Sequence, residues 1–324
     1  MQLAQLAYFV AVAETRHFTR AAARVRVAQP SLSKQIQGLE RELGTPLFSR
    51  ARGNVALTPA GEALLPLARR ILADVETARR EVQELAGLRR GRVRLGATPS
   101  LCTGLLADAL RHFRDRYPGI DLHVQEDGSR DLVRHLAAGA LDLALIIVPL
   151  QRNDPALLTR PILREALVLA SARGPARPSS GGPAGSSSGG PARPARATVG
   201  VETLRDRPLV MFRDGYDLRD TTLAACRRAG FEPRFAVEGG EMDAVLRFVE
   251  AGLGDAVVPS MVLAGRQRLT GTPVEGLCRT IALAQRRDVE LPRAVVVFRQ
   301  TLLDLLTRVD TLPAGVDLVP LQDR

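Results

Sequence analysis

Lysine is almost missing from this 324-residue chain: of 45 basic side chains only Lys34 is a lysine. Cysteine is scarce as well. Cys102, Cys226 and Cys278 are too few and too far apart for a disulfide framework or a CxxC metal knuckle. With only four scattered histidines, a structural zinc site is excluded too, and no metal or cofactor is expected. No apolar run reaches the ~18–20 residues that span a bilayer, so no membrane partner is expected. The start, Met1 to Val10, carries neither a basic stretch nor a small-residue cleavage site, which points away from secretion and toward the cytoplasm. A GxSxG elbow, a Walker A loop and an HExxH helix are all absent. Gly252-Leu253-Gly254 follows a helix instead of opening one, so it is no dinucleotide loop. No catalytic residue is nominated, and an enzyme is not expected.

The chain does have enough length for two or more domains, and its 45% hydrophobic and 25% charged residues suit a globular protein. Its net charge of +10 is unevenly placed. Residues 1–92 hold 15 basic and 8 acidic side chains, and the remaining 232 hold 30 and 27. A positive field concentrated in under a third of the chain is the footprint of polyanion binding, because each neutralised phosphate releases counterions. A solubilising arginine-rich surface would give the same count.

Local patterns then divide the chain. LAQLAYFVAVA (3–13) sets Leu3, Leu6, Phe9, Val10 and Ala13 on one stripe of a first helix. Thr19 is expected to cap a short second helix, TRAAARV. After the turn Val27-Ala28-Gln29-Pro30 a third helix, SLSKQIQGLEREL, carries Leu32, Ile36, Leu39 and Leu43 on its inner face and ends at Gly44. Two short helices joined by about four residues have helix-turn-helix geometry. SRARGNVAL (49–57) alternates around Gly-Asn as a small hairpin or wing, and Thr58-Pro59 caps the next helix. That helix is expected from Pro59 to Gly87, about 40–45 Å long. Its Leu64, Ala68, Ile71, Val75, Ala78, Val82 and Leu85 step by 4 and 3, a heptad seam for which a second copy is the readiest partner. Packing onto its own domain is the alternative.

Beyond Arg92 strands and helices alternate. VRLGAT, IDLHVQE and LDLALIIV are strands separated by helices from Ser100 and Ser129. EALVLAS, PLVMF, FAVE and DAVVP follow, with helices 217–229 and 241–251 between them. TIALAQ and AVVVFRQ then lead into a helix TLLDLLTRV. The pattern predicts parallel sheets covered by helices, in two α/β units. Between them, 174–197 is almost entirely Gly, Pro, Ser, Ala and Arg, and is expected to be a disordered surface loop.

FTRAAARVRVAQPSLSKQIQGLERELGTPLFSR, the wing ending VALTPAG, the 58–90 helix, LGATPS, DGSRDLVRHLAAGALDLALI and FVEAGLGDAVVP together resemble the LysR-type transcriptional regulators over nearly the whole chain. The N-terminal stretch is the specific one; periplasmic binding proteins share the α/β architecture. The resemblance implies an α/β fold class: an all-α winged helix-turn-helix (1–58, motif about 18–37), a dimerising linker helix (59–90), and two Rossmann-like subdomains of the type 2 periplasmic-binding-protein kind. The expected bounds are 91–163 with 266–310 for the first subdomain, 164–265 for the second, and 311–324 for a tail. It further implies a homodimer or homotetramer at the nucleoid, a partly palindromic DNA site, a small-molecule effector, and contact with RNA polymerase.

On the DNA face the resemblance and the residue chemistry agree. Gln29, opening the recognition helix, can pair with an adenine edge, and Lys34 can donate to guanine O6/N7. The family usually has Arg at position 34; lysine offers a point charge in place of a bidentate fork. Pro30 and Ser33 lie beside them. Thr19, Arg20, Ser31 and Gln35 would hold phosphates, and Arg50 and Arg52 of the wing would enter the minor groove.

In α/β sheets ligands bind past the carboxyl ends of strands, where helix N-termini offer free N–H groups. Ser100 and Leu101 sit at such an end. By resemblance Ser100, Ser129 and Ile147 line the effector cleft, with Met211, Phe212 and the 239–241 turn, including Glu241, across from them. The helix ends favour an anionic metabolite. Cys102, in a first helical turn, should have a lowered pKa. Some relatives sense oxidants through two cysteines of the second subdomain, but Cys226 and Cys278 have no close partner, and buried inert thiols are expected. Two rival readings remain: an α/β binding protein or enzyme with a fused DNA module, and a non-specific nucleoid protein.

Overall fold

The computed structural model describes residues 1–49, 55–84, 91–149, 155–173, 198–308 and 312–319. The wing residues Arg50 and Arg52, Leu85 with the end of the linker helix, and the 174–197 insertion lie outside the described residues, as does the side chain of Val82.

Three helices make the headpiece: α1 (Leu3–Thr15), α2 (Phe18–Arg24) and α3 (Gln29–Leu43). Their shared core holds Leu6, Phe9, Val12, Ala21, Leu32, Ile36 and Leu39, all essentially sealed from solvent. Leu43 is not among them; at 41% exposed it has rotated past the buried edge at the last turn. Gly44 ends α3 in the left-handed region, φ 67°, where a glycine is free of the Cβ clash. The cap of α2 is His17, whose Nδ1 accepts from Arg20 N–H at 3.4 Å, so Thr19 stands inside the first turn instead of before it. Strands β1 (Phe48–Ser49) and β2 (Ala56–Leu57) pair antiparallel as the base of a wing, and Phe48 packs its ring on Phe9 and Phe18.

The long helix α4 (Pro59–Glu84) starts where Thr58 Oγ accepts from Gly61 N–H at 3.1 Å. Its first turns close the headpiece. Ala68 is fully buried there, and Leu64 and Ile71 pack against the same core. The heptad spacing therefore has two causes: its early positions serve the chain's own core, and Ala68 is unavailable to a second copy.

The remaining chain forms one mixed sheet with a smaller sheet beside it. β3 (Gly91–Ala97) pairs parallel with β4 (Ile120–Glu126) and β5 (Leu143–Val148). The strand order is β11-β6-β10-β5-β3-β4, with β9 (Ala256–Pro259) also on β6. Here β6 is Leu157–Ala172, β10 is Leu269–Arg286 and β11 is Val316–Leu318, so a strand occupies some of the expected tail. β6, β10, β9 and β11 run antiparallel to their neighbours, a departure from the all-parallel expectation. β7 (Pro208–Phe212) and β8 (Arg234–Gly240) form the parallel second sheet. The helices are α5 (Pro99–Leu101), α6 (Ala107–Arg116), α7 (Ser129–Ala137), α8 (Asp217–Arg228), α9 (Met242–Glu250) and α10 (Arg293–Arg308). A π-turn, Cys102–Leu106, joins α5 to α6. The valine-rich 294–300 segment is helical: it follows Pro292, and Val295, Phe298, Leu302 and Leu306 recur at helical spacing and are buried.

Two apolar cores flank the long strands. Val93, Leu143, Leu163, Ile281 and Phe298 belong to the first, and Leu167, Leu209, Val245, Val257 and Leu277 to the second. Both β6 and β10 pass from one core to the other. On β10 the change comes between Leu277 and Ile281, so 269–277 packs with the second unit and not, as expected from 266, with the first.

Candidate functional site

Burial of Leu32, Ile36 and Leu39 turns the opposite side of α3 outward. Gln29, Pro30, Ser31 and Lys34 are exposed there, with Ser33 and Gln35 half-buried beside them. Gln29 Nε2 donates to Ser33 Oγ at 2.9 Å, which holds the amide over the first turn. Thr19 and Arg20 are exposed on the neighbouring α2. Eight of the ten nominated DNA residues are thus exposed or half-buried on α2 and α3, and the other two are Arg50 and Arg52. A residue the spacing did not reveal, Glu40, sets the wing's position: its Oε1 accepts from Leu47 N–H at 2.8 Å and Phe48 N–H at 3.3 Å. Such a carboxylate on a helix flank looks like ordinary surface charge until the loop folds back.

Linker helix α4 is bound to the rest of the chain by charge and close packing. Arg286, at the end of β10, is 7% exposed; its Nη1 donates to Asp74 at 2.7 Å and its Nε to Asp288 at 3.1 Å. Arg70 of α4 reaches the same Asp288. Gly139, at φ +69°, lets the turn after α7 sit against Ala73, where an added Cβ would come within 2.4 Å of the alanine's. On the open side of α4 Leu67 and Ala78 are exposed and Val75 is half-buried.

Between the two cores lies a cavity of about 660 Å³. It opens at the carboxyl ends of β3, β5, β7 and β8, as expected for such sheets. Ser100, Ile147 and Glu241 line it. Ser129 stands one layer behind, its Oγ accepting from Ile147 N–H at 3.0 Å. Leu101, Met211 and Phe212 do not reach the cavity: each is buried at 3% exposure or less within one of the cores. All of 209–212 is buried, so β7 is covered on both faces and Met211 and Phe212 are core residues. Phe212 acts instead through Tyr216, against which it stacks with ring centroids 4.6 Å apart.

The cavity's floor is an ion pair no local pattern could reveal. Glu165 of β6 is completely buried and Arg279 of β10 is 8% exposed. Arg279 Nε donates to Glu165 Oε2 at 2.8 Å, Arg279 Nη2 donates to Ser100 Oγ at 2.9 Å, and the other carboxylate oxygen accepts from Met261 N–H at 2.7 Å. The two residues face each other in register where both strands cross between cores. Burial raises the pKa of Asp217, opposed by Arg130 and by a Ser129 hydrogen bond, and burial also pushes the Tyr216 phenol upward.

The cysteines differ from expectation. Burial, reinforced by Glu126, pushes the Cys102 thiol up to about 11, so desolvation outweighs any helix-end effect. Cys226 is buried, but Cys278 is exposed at the cavity, where Arg164 donates to its sulfur at 3.1 and 3.3 Å.

Among the described residues no group of His, Cys, Asp and Glu could hold a metal, and no helix is long and apolar enough to cross a membrane. Residues 3–62 match the family of bacterial regulatory helix-turn-helix proteins of the lysR type, and residues 86–307 match the LysR substrate binding domain. A probable hydrogen peroxide-inducible genes activator of Streptomyces viridosporus is 35% identical over 95% of this chain and 96% of its own length. Full-length OxyR from Pseudomonas aeruginosa superposes with a TM-score of 0.68 at 26% identity, covering 100% of this chain and 99% of that one. CbnR in complex with its target DNA superposes at 0.63 with 25% identity, over 93% of this chain and 99% of the other. These matches are to regulators, not to enzymes. The chain belongs to the LysR family: it is a transcriptional regulator with a winged helix-turn-helix and an effector-binding domain.

Proposed function

We propose that this regulator acts as a homodimer or homotetramer at the bacterial nucleoid, on a partly palindromic promoter site, with Gln29 and Lys34 reading base edges. The observation that carries the reading is the polar face of α3, held rigid by the buried leucine and isoleucine stripe behind it. Thr19, Arg20, Ser31 and Gln35 contact phosphates and fix register, Pro30 and Ser33 flank the reading residues, and Arg50 and Arg52 enter the adjacent minor groove. Half-sites spaced by whole helical turns follow from two-fold symmetry.

The partner along α4 is a second copy. With Ala68 committed to the headpiece, the seam comprises Ile71, Val75, Ala78, Val82 and Leu85, joined by exposed Leu67 and by the outer edge of Leu64. Ile71→Asp should yield monomers with weak operator affinity by light scattering and gel shift; a dimer of normal strength would refute the seam. A small molecule in the cleft binds one oligomer shape better than the other and so shifts their populations, altering DNA bend and polymerase recruitment. The Arg286–Asp74 contact supports this coupling, since it joins the sheet of the cleft to the helix that carries the headpiece.

Gln29→Ala tests the assignment. It should cost about 1–3 kcal/mol and relax sequence preference at one position. Unchanged affinity and unchanged selectivity would remove Gln29 as a reader.

A further inference from the structure

The cleft has a charge balance opposite to the one its helix ends suggest. Six carboxylates line it among the described residues: Glu126, Asp127, Asp217, Asp220, Glu241 and Asp243. Only three guanidiniums do so, those of Arg130, Arg213 and Arg279. Arg279 is already engaged by the buried Glu165 behind the wall, and Arg213 is ion-paired with Glu241. Arg266 draws off Asp243 at 3.0 Å. Asp127 accepts from Gln125 Nε2 at 3.3 Å and lies 3.8 Å from His135, which leaves Glu126 on one wall and Asp217 and Asp220 on the other, with Arg130 as the remaining lining cation, acting on Asp217. An anion entering here meets an excess of carboxylates and a floor arginine whose Nε and Nη2 are already engaged.

Two further features bear on what the site holds: the first points to an occupant, the second to its charge. Thr98 lines the cavity at only 6% exposure, and its buried hydroxyl has no hydrogen-bond partner in the protein. A buried polar atom left in this way is normally satisfied by something that occupies the site. Tyr216, half-buried in the lining and stacked on Phe212, has Glu126, Asp217 and Glu241 among the charges acting on its phenol. With Phe212 stacked on it, the ring already has one cation, the Arg213 guanidinium, 5.9 Å from its centroid, and an ammonium group would be drawn by the same π system.

Building on the regulator reading above, we propose that the effector of this protein is an organic cation carrying a protonated amine, held between Glu126 and the Asp217–Asp220 pair beside Tyr216. The position of these groups also accounts for closure. Glu126 ends β4 in the first unit, while Asp217 and Asp220 open α8 in the second. A cation between Glu126 and the Asp217–Asp220 pair engages both units at once, adds to what Arg130 already contributes across the cleft at Asp217, and favours the closed shape. That gives the differential affinity a population shift requires.

The test uses three probes of one carbon skeleton, diaminopentane, aminopentanoate and glutarate, titrated calorimetrically into the full-length protein at low salt. Diaminopentane should bind at least about tenfold more tightly than glutarate, the ratio that corresponds to 1.4 kcal/mol. Asp217→Asn and, on the opposite wall, Glu126→Gln should each weaken diaminopentane several-fold, with circular dichroism checking that both variants fold. Glutarate binding as tightly or more tightly, no uptake of diaminopentane, or uptake that neither variant changes would overturn the proposal. Gel shifts of promoter DNA with the unliganded protein report separately on the regulator reading: they can succeed while the amine fails, and fail while the amine binds.

Discussion

The headpiece and the effector domain use polar side chains in opposite ways. In the headpiece one apolar core is closed by α4, and the polar residues of interest stand outside it on α3. The effector domain has a hollow between its cores, and there the residues of interest face inward, paired with one another across long sequence distances. The first arrangement presents a fixed surface to a large partner. The second encloses a small one and can change shape, because among the described residues β6, β10 and the Met261–Val262 turn carry the apolar packing from one core to the other. Function in the headpiece thus depends on how well its core holds a surface, and function in the cleft on how its charges are neutralised.

The sharpest break of that contrast is at the cleft floor. Arg279→Ala leaves Glu165 buried and unpaired and should destabilise the effector domain by about 3–5 kcal/mol in urea unfolding. A change under about 1 kcal/mol would mean that the pair is not structural. Ile36→Ala, by contrast, removes apolar volume from the headpiece core and should cost about 2–5 kcal/mol, with DNA binding lost as the α3 face loosens. Retention of full operator affinity would separate the surface from its support. Thr58→Ala deletes the cap of α4 and should lower stability by about 0.5–2 kcal/mol, read as a shift of the headpiece melting transition. The smallest effect concerns thiols. At neutral pH a disulfide reagent should modify Cys278 quickly, half-buried Cys102 slowly because it is neutral far below its pKa of about 11, and buried Cys226 only after unfolding. Fast modification of two or three thiols in the native protein would contradict the burial described here.

How much of this was legible in the sequence follows the same divide. The headpiece is made by local rules: the 4, 3 spacing of Leu32, Ile36 and Leu39, the glycine after α3 and the Thr58-Pro59 start each act within a few residues. Its departures are also local, at Leu43 and at Thr19, where His17 takes the capping role. The α4 seam reads correctly as amphipathic, but periodicity does not say which partner covers it, and for Ala68 the partner is the chain itself. In the effector domain the strand end places Ser100 at the cavity and the family resemblance adds Ile147 and Glu241, and all three line it. The strand end suggests Leu101 for it and the family resemblance Met211 and Phe212, but all three side chains are buried in the cores. Glu165 and Arg279 lie 114 residues apart, and nothing local joins them; only the antiparallel register of β6 and β10 does.

Footprinting the intact protein on DNA upstream of its own gene tests the central claim, that a rigid α3 face reads sequence within a paired headpiece. Protection of one tract, with two protected segments a whole helical turn or a multiple of it apart and both lost in Gln29→Ala, is the predicted result. Even protection along every fragment, or one protected segment without a symmetric mate, would contradict it.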